Sequence, residues 1–211
     1  QREERDGIKA AGLAASSPGG FIVEAPEPID HTTNNLKVEG GFAKNPLFLS
    51  LGILYSDFNN SQDKLTFAAP TSPFLTDRLT LPPDNDFYKG FFKGAVRLPL
   101  NSKFNVNLGY GVARSDTTLV DSYVSGATRT TFTLSQPDFD GEVKTQNYAF
   151  VLTSHPLRFL DGKIFYKYYE RDNDNDVVTE ISGANVFTNP LFEYTRNAAG
   201  IDLGFRLPAR F

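Results

Sequence analysis

The chain has 211 residues, with 21 Lys and Arg against 25 Asp and Glu, a formal net charge of −4, and 40% hydrophobic residues. It has no cysteine and only two histidines. That excludes disulfides, thiolate metal sites, a nucleophilic Cys, covalent haem attachment through C-x-x-C-H, and a His-rich metal centre. The mild acidity offers no electrostatic case for nucleic acid.

No apolar run reaches the roughly 18 residues of a membrane helix, which leaves membrane strands open. The 19 Phe, 9 Tyr, 17 Gly and 13 Pro favour a β protein with many turns. Methionine is absent and no charged-then-apolar leader is visible, so the expectation is a processed product or a piece of a longer chain.

Residues 1–35 read as an irregular surface loop segment. QREERDG leads into AAGLAASSPGG and the stiff, acidic EAPEPID, with at most a short strand at Phe21–Glu24. Strands then fill residues 36–211. The first is Leu36–Phe42. AKNP turns the chain into Leu47–Phe58, where Leu47, Leu49, Leu51, Ile53 and Tyr55 share one face. A long polar loop, Asp57–Asp86, precedes the third strand, Phe87–Leu98. There Tyr88, Phe92, Val96 and Leu98 oppose Lys89, Phe91, Lys93 and Arg97.

The fourth strand follows a tight turn. Phe104, Val106, Leu108, Tyr110 and Val112 alternate with Asn105, Asn107, Gly109, Gly111 and Ala113. One face is wholly apolar and the other small or polar, which suits the wall of a large lumen at least as well as one sheet of a soluble sandwich. A second long loop, Ser115–Gly141, precedes the strand Glu142–Ser154. HPLRFLDG then turns into Lys163–Arg171, and a third long loop, Asp172–Asn189, precedes Thr195–Leu207.

Short and long connections therefore alternate strictly. The short ones carry Pro46, Pro99, Pro156 and Pro208, at intervals of 52 to 57 residues. Short turns on one rim and long loops on the other are the mark of an antiparallel up-and-down transmembrane β-barrel, with the short turns periplasmic and the long loops extracellular. About seven strands are predicted. Tyr55, Tyr88, Tyr148 and Tyr168 fall where an interfacial aromatic girdle would lie.

LPPDNDFYKGFFKGAVRLP with SKFNVNLGYGVARSD resembles a hairpin of the decahaem-associated outer-membrane barrel family (MtrB/PioB type). VEAPEPIDHTTNNLKVEGGF with FLSLGILYSDFNN, DGKIFYKYYERDN, and FEYTRNAAGIDLGFRLPARF fit the same family, in order, over nearly the whole chain. The resemblance implies a porin-like barrel in the bacterial outer membrane that sheathes a periplasmic multihaem c-type cytochrome. Electrons would thereby cross the membrane, with a surface cytochrome as a further partner. Haem would be carried by the partner and no cofactor by this chain. Family barrels have well over twenty strands, so the resemblance also implies an internal fragment. The terminal Phe211 in register with Phe205 suggests instead a complete small barrel, against which Pro208 argues because it removes a ladder donor.

On this reading the lumen- and partner-facing residues are Lys89, Lys93, Arg97, Asn105, Asn107, Lys163, Lys167, Arg171 and Arg206. The basic ones would pair with haem propionates or acidic partner side chains. The plainer reading is that they line a wet lumen without individual roles, as in a passive diffusion porin with no cytochrome. Enzymatic activity is not expected: His31 and His155 lie in a loop and a turn, and no G-x-S-x-G occurs. Asp172, Asp174, Asp176 and Glu180 have spacing reminiscent of a calcium loop. Val177 stands where that loop needs Gly and Gly183 where it needs Glu, so a solvated loop is the preferred reading.

Overall fold

The computed structural model describes residues 1–15, 21–69, 72–125 and 128–206. Fifteen strands are described and no helix. They run β1 (Arg2–Ala15), β2 (Phe21–Lys44), β3 (Leu47–Asn60), β4 (Lys64–Ala69), β5 (Ser72–Thr80), β6 (Asn85–Leu98), β7 (Ser102–Thr118) and β8 (Ser122–Ser125). β9 (Thr128–Thr131), β10 (Thr133–Leu134), β11 (Asp138–Leu157), β12 (Leu160–Asn173), β13 (Thr179–Ser182), β14 (Asn185–Thr188) and β15 (Tyr194–Phe205) complete them.

Eight of these form one open antiparallel sheet in the order β1-β2-β3-β6-β7-β11-β12-β15. Every long strand is a sequence neighbour of the next, apart from the loop ribbons between them, as an up-and-down wall requires. Seven of the eight coincide with the strands expected from the alternation. The eighth corrects the reading of residues 1–35 as irregular: β1 and the first half of β2 pair from Arg2↔Asn34 to Ala15↔Phe21. β2 meets β3 only over His31–Lys44.

The long connections are also more ordered than polar loops. β4 pairs with β5, β8 with β9, and β13 with both β10 and β14, so the second and third loops are joined at β10–β13. The small buried core sits here, not in the sheet. Leu65 and Leu81 are the only buried hydrophobic residues among those described, with Phe67 packed on them.

The short turns lie at one rim. The first carries the cis Asn45–Pro46 bond, and in the second Ser102 donates to the Pro99 carbonyl at 3.3 Å. Pro208, Leu207 and Phe211, which the alternation placed in a fourth turn, lie outside the described residues.

Both rims are staggered in the same sense. Tyr55 opposes Tyr88, Tyr110 sits two residues lower opposite Gly90, and Tyr148, two lower again, opposes Leu108 and Tyr168. At the other rim β2–β3 closes at Lys44↔Leu47, β6–β7 two residues beyond the Val96 that faces Leu47, and β11–β12 further still at Leu157↔Leu160. A girdle and a set of turns that step across the register describe strands tilted to a common axis, as the shear of a barrel demands.

Candidate lumen face and lipid face

Register fixes which side chains share a face. On one side lie Leu51, Phe92, Leu108, Tyr148 and Tyr168 in one row, and Leu47, Val96, Phe104, Leu152, Ile164 and Ile201 in another. No outward position of Leu47–Tyr55, Tyr88–Val96, Phe104–Tyr110, Tyr148–Leu152 or Ile164–Tyr168 is charged. These residues are not covered by protein: Leu51 is 66% exposed, Ile53 58% and Ile201 67%. A contiguous apolar surface of this extent is unstable in water, and hydrocarbon is the solvent that satisfies it. The tyrosines close its long-loop edge in pairs. Tyr55 and Tyr88 have ring centroids 4.8 Å apart, and Tyr148 and Tyr168 stack at 5.5 Å.

The opposite face is polar and strongly basic. From the register row that joins Lys37, Lys89 and Arg171 down to the short-turn rim, β2, β6 and β7 contribute Lys37, Lys89, Lys93, Arg97 and Lys103. β12 and β15 contribute Lys163, Lys167, Arg171, Arg196 and Arg206. Against these ten cations stand three carboxylates, Glu39, Asp161 and Asp202. A chain of net charge −4 thus presents a face of net +7.

All three carboxylates are already engaged. Glu39 Oε1 accepts from Ser50 Oγ at 2.6 Å and Lys93 Nζ at 3.4 Å, and Glu39 Oε2 lies 2.8 Å from Lys37. Asp202 pairs with Lys163 at 2.9 Å, and Asp161 with Arg206 at 3.0 Å. Arg97 stands opposite Lys103 in the register with no acid bonded to either among the described residues, a like-charge juxtaposition that costs free energy unless an anion intervenes.

All nine residues expected to face the lumen lie on this one face. Lys93 and Lys163 are ion-paired as described, and each also stands over a ring, Phe91 at 5.0 Å and Phe165 at 4.9 Å. Lys167 stands 5.8 Å from Phe165, and Arg171 donates to the Phe192 carbonyl. Asn105 and Asn107 neighbour Ala95 and Lys93, while Lys89 makes no ion pair among the described residues.

The alternation already puts Tyr169 and Asp202 on this face, but several of its other members were not anticipated: Lys37, Glu39, Lys103, Tyr194 and Arg196. The period-two pattern of LKVEGGF and TRNAAGID would have exposed Lys37, Glu39 and Arg196. The cross-strand groupings require the register.

Negative charge collects elsewhere. At the long-loop end, a cavity of about 360 Å³ is lined by Asp57, Asp84, Asp86, Asp116, Asp140 and Glu142 around Arg114. Arg114 Nε donates to Glu142 at 2.8 Å, and Lys144 bridges Glu142 at 3.1 Å and Asp174 at 2.6 Å. The Arg114 guanidinium, and then Lys144, hold the Glu142 carboxyl below its ordinary range.

The four residues with calcium-loop spacing are not gathered. Asp172 is the penultimate residue of β12, Asp174 pairs with Lys144, and Glu180 lies on β13. Among the described residues no three His, Asp or Glu side chains converge as a metal ion would need.

A search of curated proteins finds no match to the chain. A family model described as "Putative outer membrane beta-barrel porin, MtrB/PioB" matches residues 1–211. An antiparallel staggered wall, apolar and uncovered on one side and polar on the other, is the architecture that description calls for. The chain belongs to the MtrB/PioB family of bacterial outer-membrane β-barrel porins.

Proposed function

We propose that this barrel wall encloses a periplasmic multihaem c-type cytochrome, insulates its haems from lipid, and so supports electron transfer across the outer membrane. A surface cytochrome would receive or supply the electrons. The observation that carries the reading is the excess of seven positive charges on the polar face, with Lys89, Arg97 and Lys103 left without carboxylate partners among the described residues. A lumen filled with water alone gains little from holding Arg97 against Lys103. A lumen filled by a protein with acidic groups offsets that repulsion with ion pairs shielded from bulk solvent.

In this account the chain catalyses nothing and binds no cofactor of its own. The redox chemistry belongs to the partner's haems, and the wall contributes position and electrostatics.

The test is purification of the barrel from outer membranes in mild detergent. Co-elution of a Soret-absorbing protein with the barrel supports the proposal. A colourless preparation that conducts ions in planar bilayers overturns it in favour of a passive porin.

A further inference from the structure

The polar face has one groove built differently from the rest. Between β11, β12 and β15 lies a depression of about 610 Å³. Its walls are aromatic: Phe165 on one side, and on the other Tyr169 stacked on Tyr194 with centroids 5.4 Å apart. Its floor is small, because Ala149 and Ala198 flank Lys167 in the register. Its two cations, Lys167 and Arg196, form no ion pair among the described residues, whereas Lys163, four residues toward the short-turn rim, is paired with Asp202.

We infer that this groove is a docking site for an Asp- or Glu-bearing segment of the protein that fills the lumen. Lys167 and Arg196 would take the carboxylate, and the tyrosine pair would cover the chain beside it. The inference rests on the reading of the lumen as occupied by a partner protein, and it names where and by what chemistry that partner is held.

Three features favour this occupant. The groove is far larger than a single small anion needs. Eight of its ten lining residues lie on the polar face in the register, the exceptions being Tyr148 and Tyr168, so it opens away from the apolar belt and a lipid headgroup does not reach it. The local charge is positive and uncompensated, which selects a partner of opposite sign. Guanidinium binds carboxylate through two parallel N–H donors, and aromatic walls that exclude water strengthen the pair.

A zero-length carbodiimide, which joins an amine to a carboxylate only when they touch, tests this on the full barrel in native outer membranes. The Lys163–Asp202 pair serves as an internal control, because its cross-link reports an intact wall. The expected result is an isopeptide between Lys167 and an Asp or Glu of a co-purifying protein. Lys167→Arg should abolish it, and Arg196→Gln should reduce it several-fold, with the Lys163–Asp202 product unchanged in both.

A partner that co-purifies and cross-links elsewhere but never at Lys167 overturns the site while leaving the proposed function standing. A Lys167 adduct with the mass of haem overturns the choice of a protein carboxylate over a propionate. A barrel that carries no partner protein, with the control cross-link intact, overturns both.

Discussion

Phe91 lies across Gly52 of the neighbouring strand so closely that a Cβ on that glycine would stand 2.3 Å from Phe91 Cζ and 2.8 Å from the Val38 carbonyl. The same arrangement recurs where Phe165 covers Gly200, with a Cβ there 2.5 Å from Phe165 Cζ. Both rings lie on the polar face, each in the sequence K-x-F-aromatic-K, and each is flanked by lysines. The ring fills the gap left by a strand residue without a side chain, a known device for stabilising glycine in a sheet.

Gly52→Ala should therefore destabilise the wall by about 1–3 kcal/mol through overpacking. Gly90→Ala should be tolerated, since nothing lies within 4 Å of the added methyl. Urea midpoints of the barrel folded into lipid vesicles measure both. Phe91→Ala in the Gly52→Ala background should recover only part of the loss, because the Val38 carbonyl stays in place.

The two faces predict opposite tolerance to charge. Leu51→Arg, in the middle of the apolar belt, should cost about 2–4 kcal/mol in vesicles. Asn107→Arg, exposed on the polar face beside Lys93, should change folding stability by a few tenths of a kcal/mol at most. The same vesicle titration separates them.

The second short turn holds Leu100 and Asn101 at φ of 60° and 50°. Two successive left-handed residues make a type I′ turn, which suits Asn or Gly and strains Leu. Leu100→Asn should raise stability by about 1 kcal/mol. Leu100 is 69% exposed, so no packing is lost. A higher unfolding midpoint with unchanged lumen properties is the expected result.

The ion-pair ladder at the long-loop end gives a pH dependence. Glu142 titrates below its ordinary value of about 4.5, held there by Arg114 and then Lys144. A carboxylate depressed on folding adds stability that is full above its unfolded pKa and is lost as pH falls through the lower folded value. Amide protection of Asp174, whose N–H donates to the Glu142 carbonyl at 3.1 Å, should hold near neutrality and fall below about pH 4.5. Glu142→Gln should remove that acid-dependent drop.

The wall strands were readable because alternation is visible residue by residue. Leu47–Phe58 and Phe87–Leu98 fall within two residues of β3 and β6. The β1–β2 hairpin was not, because Pro26 and Pro28 read as strand breakers. They are accommodated because β2 pairs with β3 only from His31 onward. Two prolines two residues apart share one side of the strand, and there that side has no partner to donate to.

The loop ribbons escaped because β8, β9 and β13 are four residues each and rich in Ser and Thr, too short to give a periodic signal. For the candidate site, the nine expected side chains could be placed on one face by period alone. Their groupings could not. Tyr169, Tyr194 and Arg196 converge only because β12 and β15 pair in one particular register, and register is set by turns and packing outside any single strand.

If the basic face surrounds an electron carrier, the inserted barrel must pass electrons across a membrane. The most direct measurement places the barrel, isolated with whatever protein accompanies it, in vesicles loaded with a redox dye, and adds a membrane-impermeant reductant outside. The expected result is dye reduction that requires the complex and that slows when Lys89, Lys93 and Arg97 are together replaced by Ala without loss of insertion. Vesicles in which the inserted complex leaves the dye oxidised would contradict it.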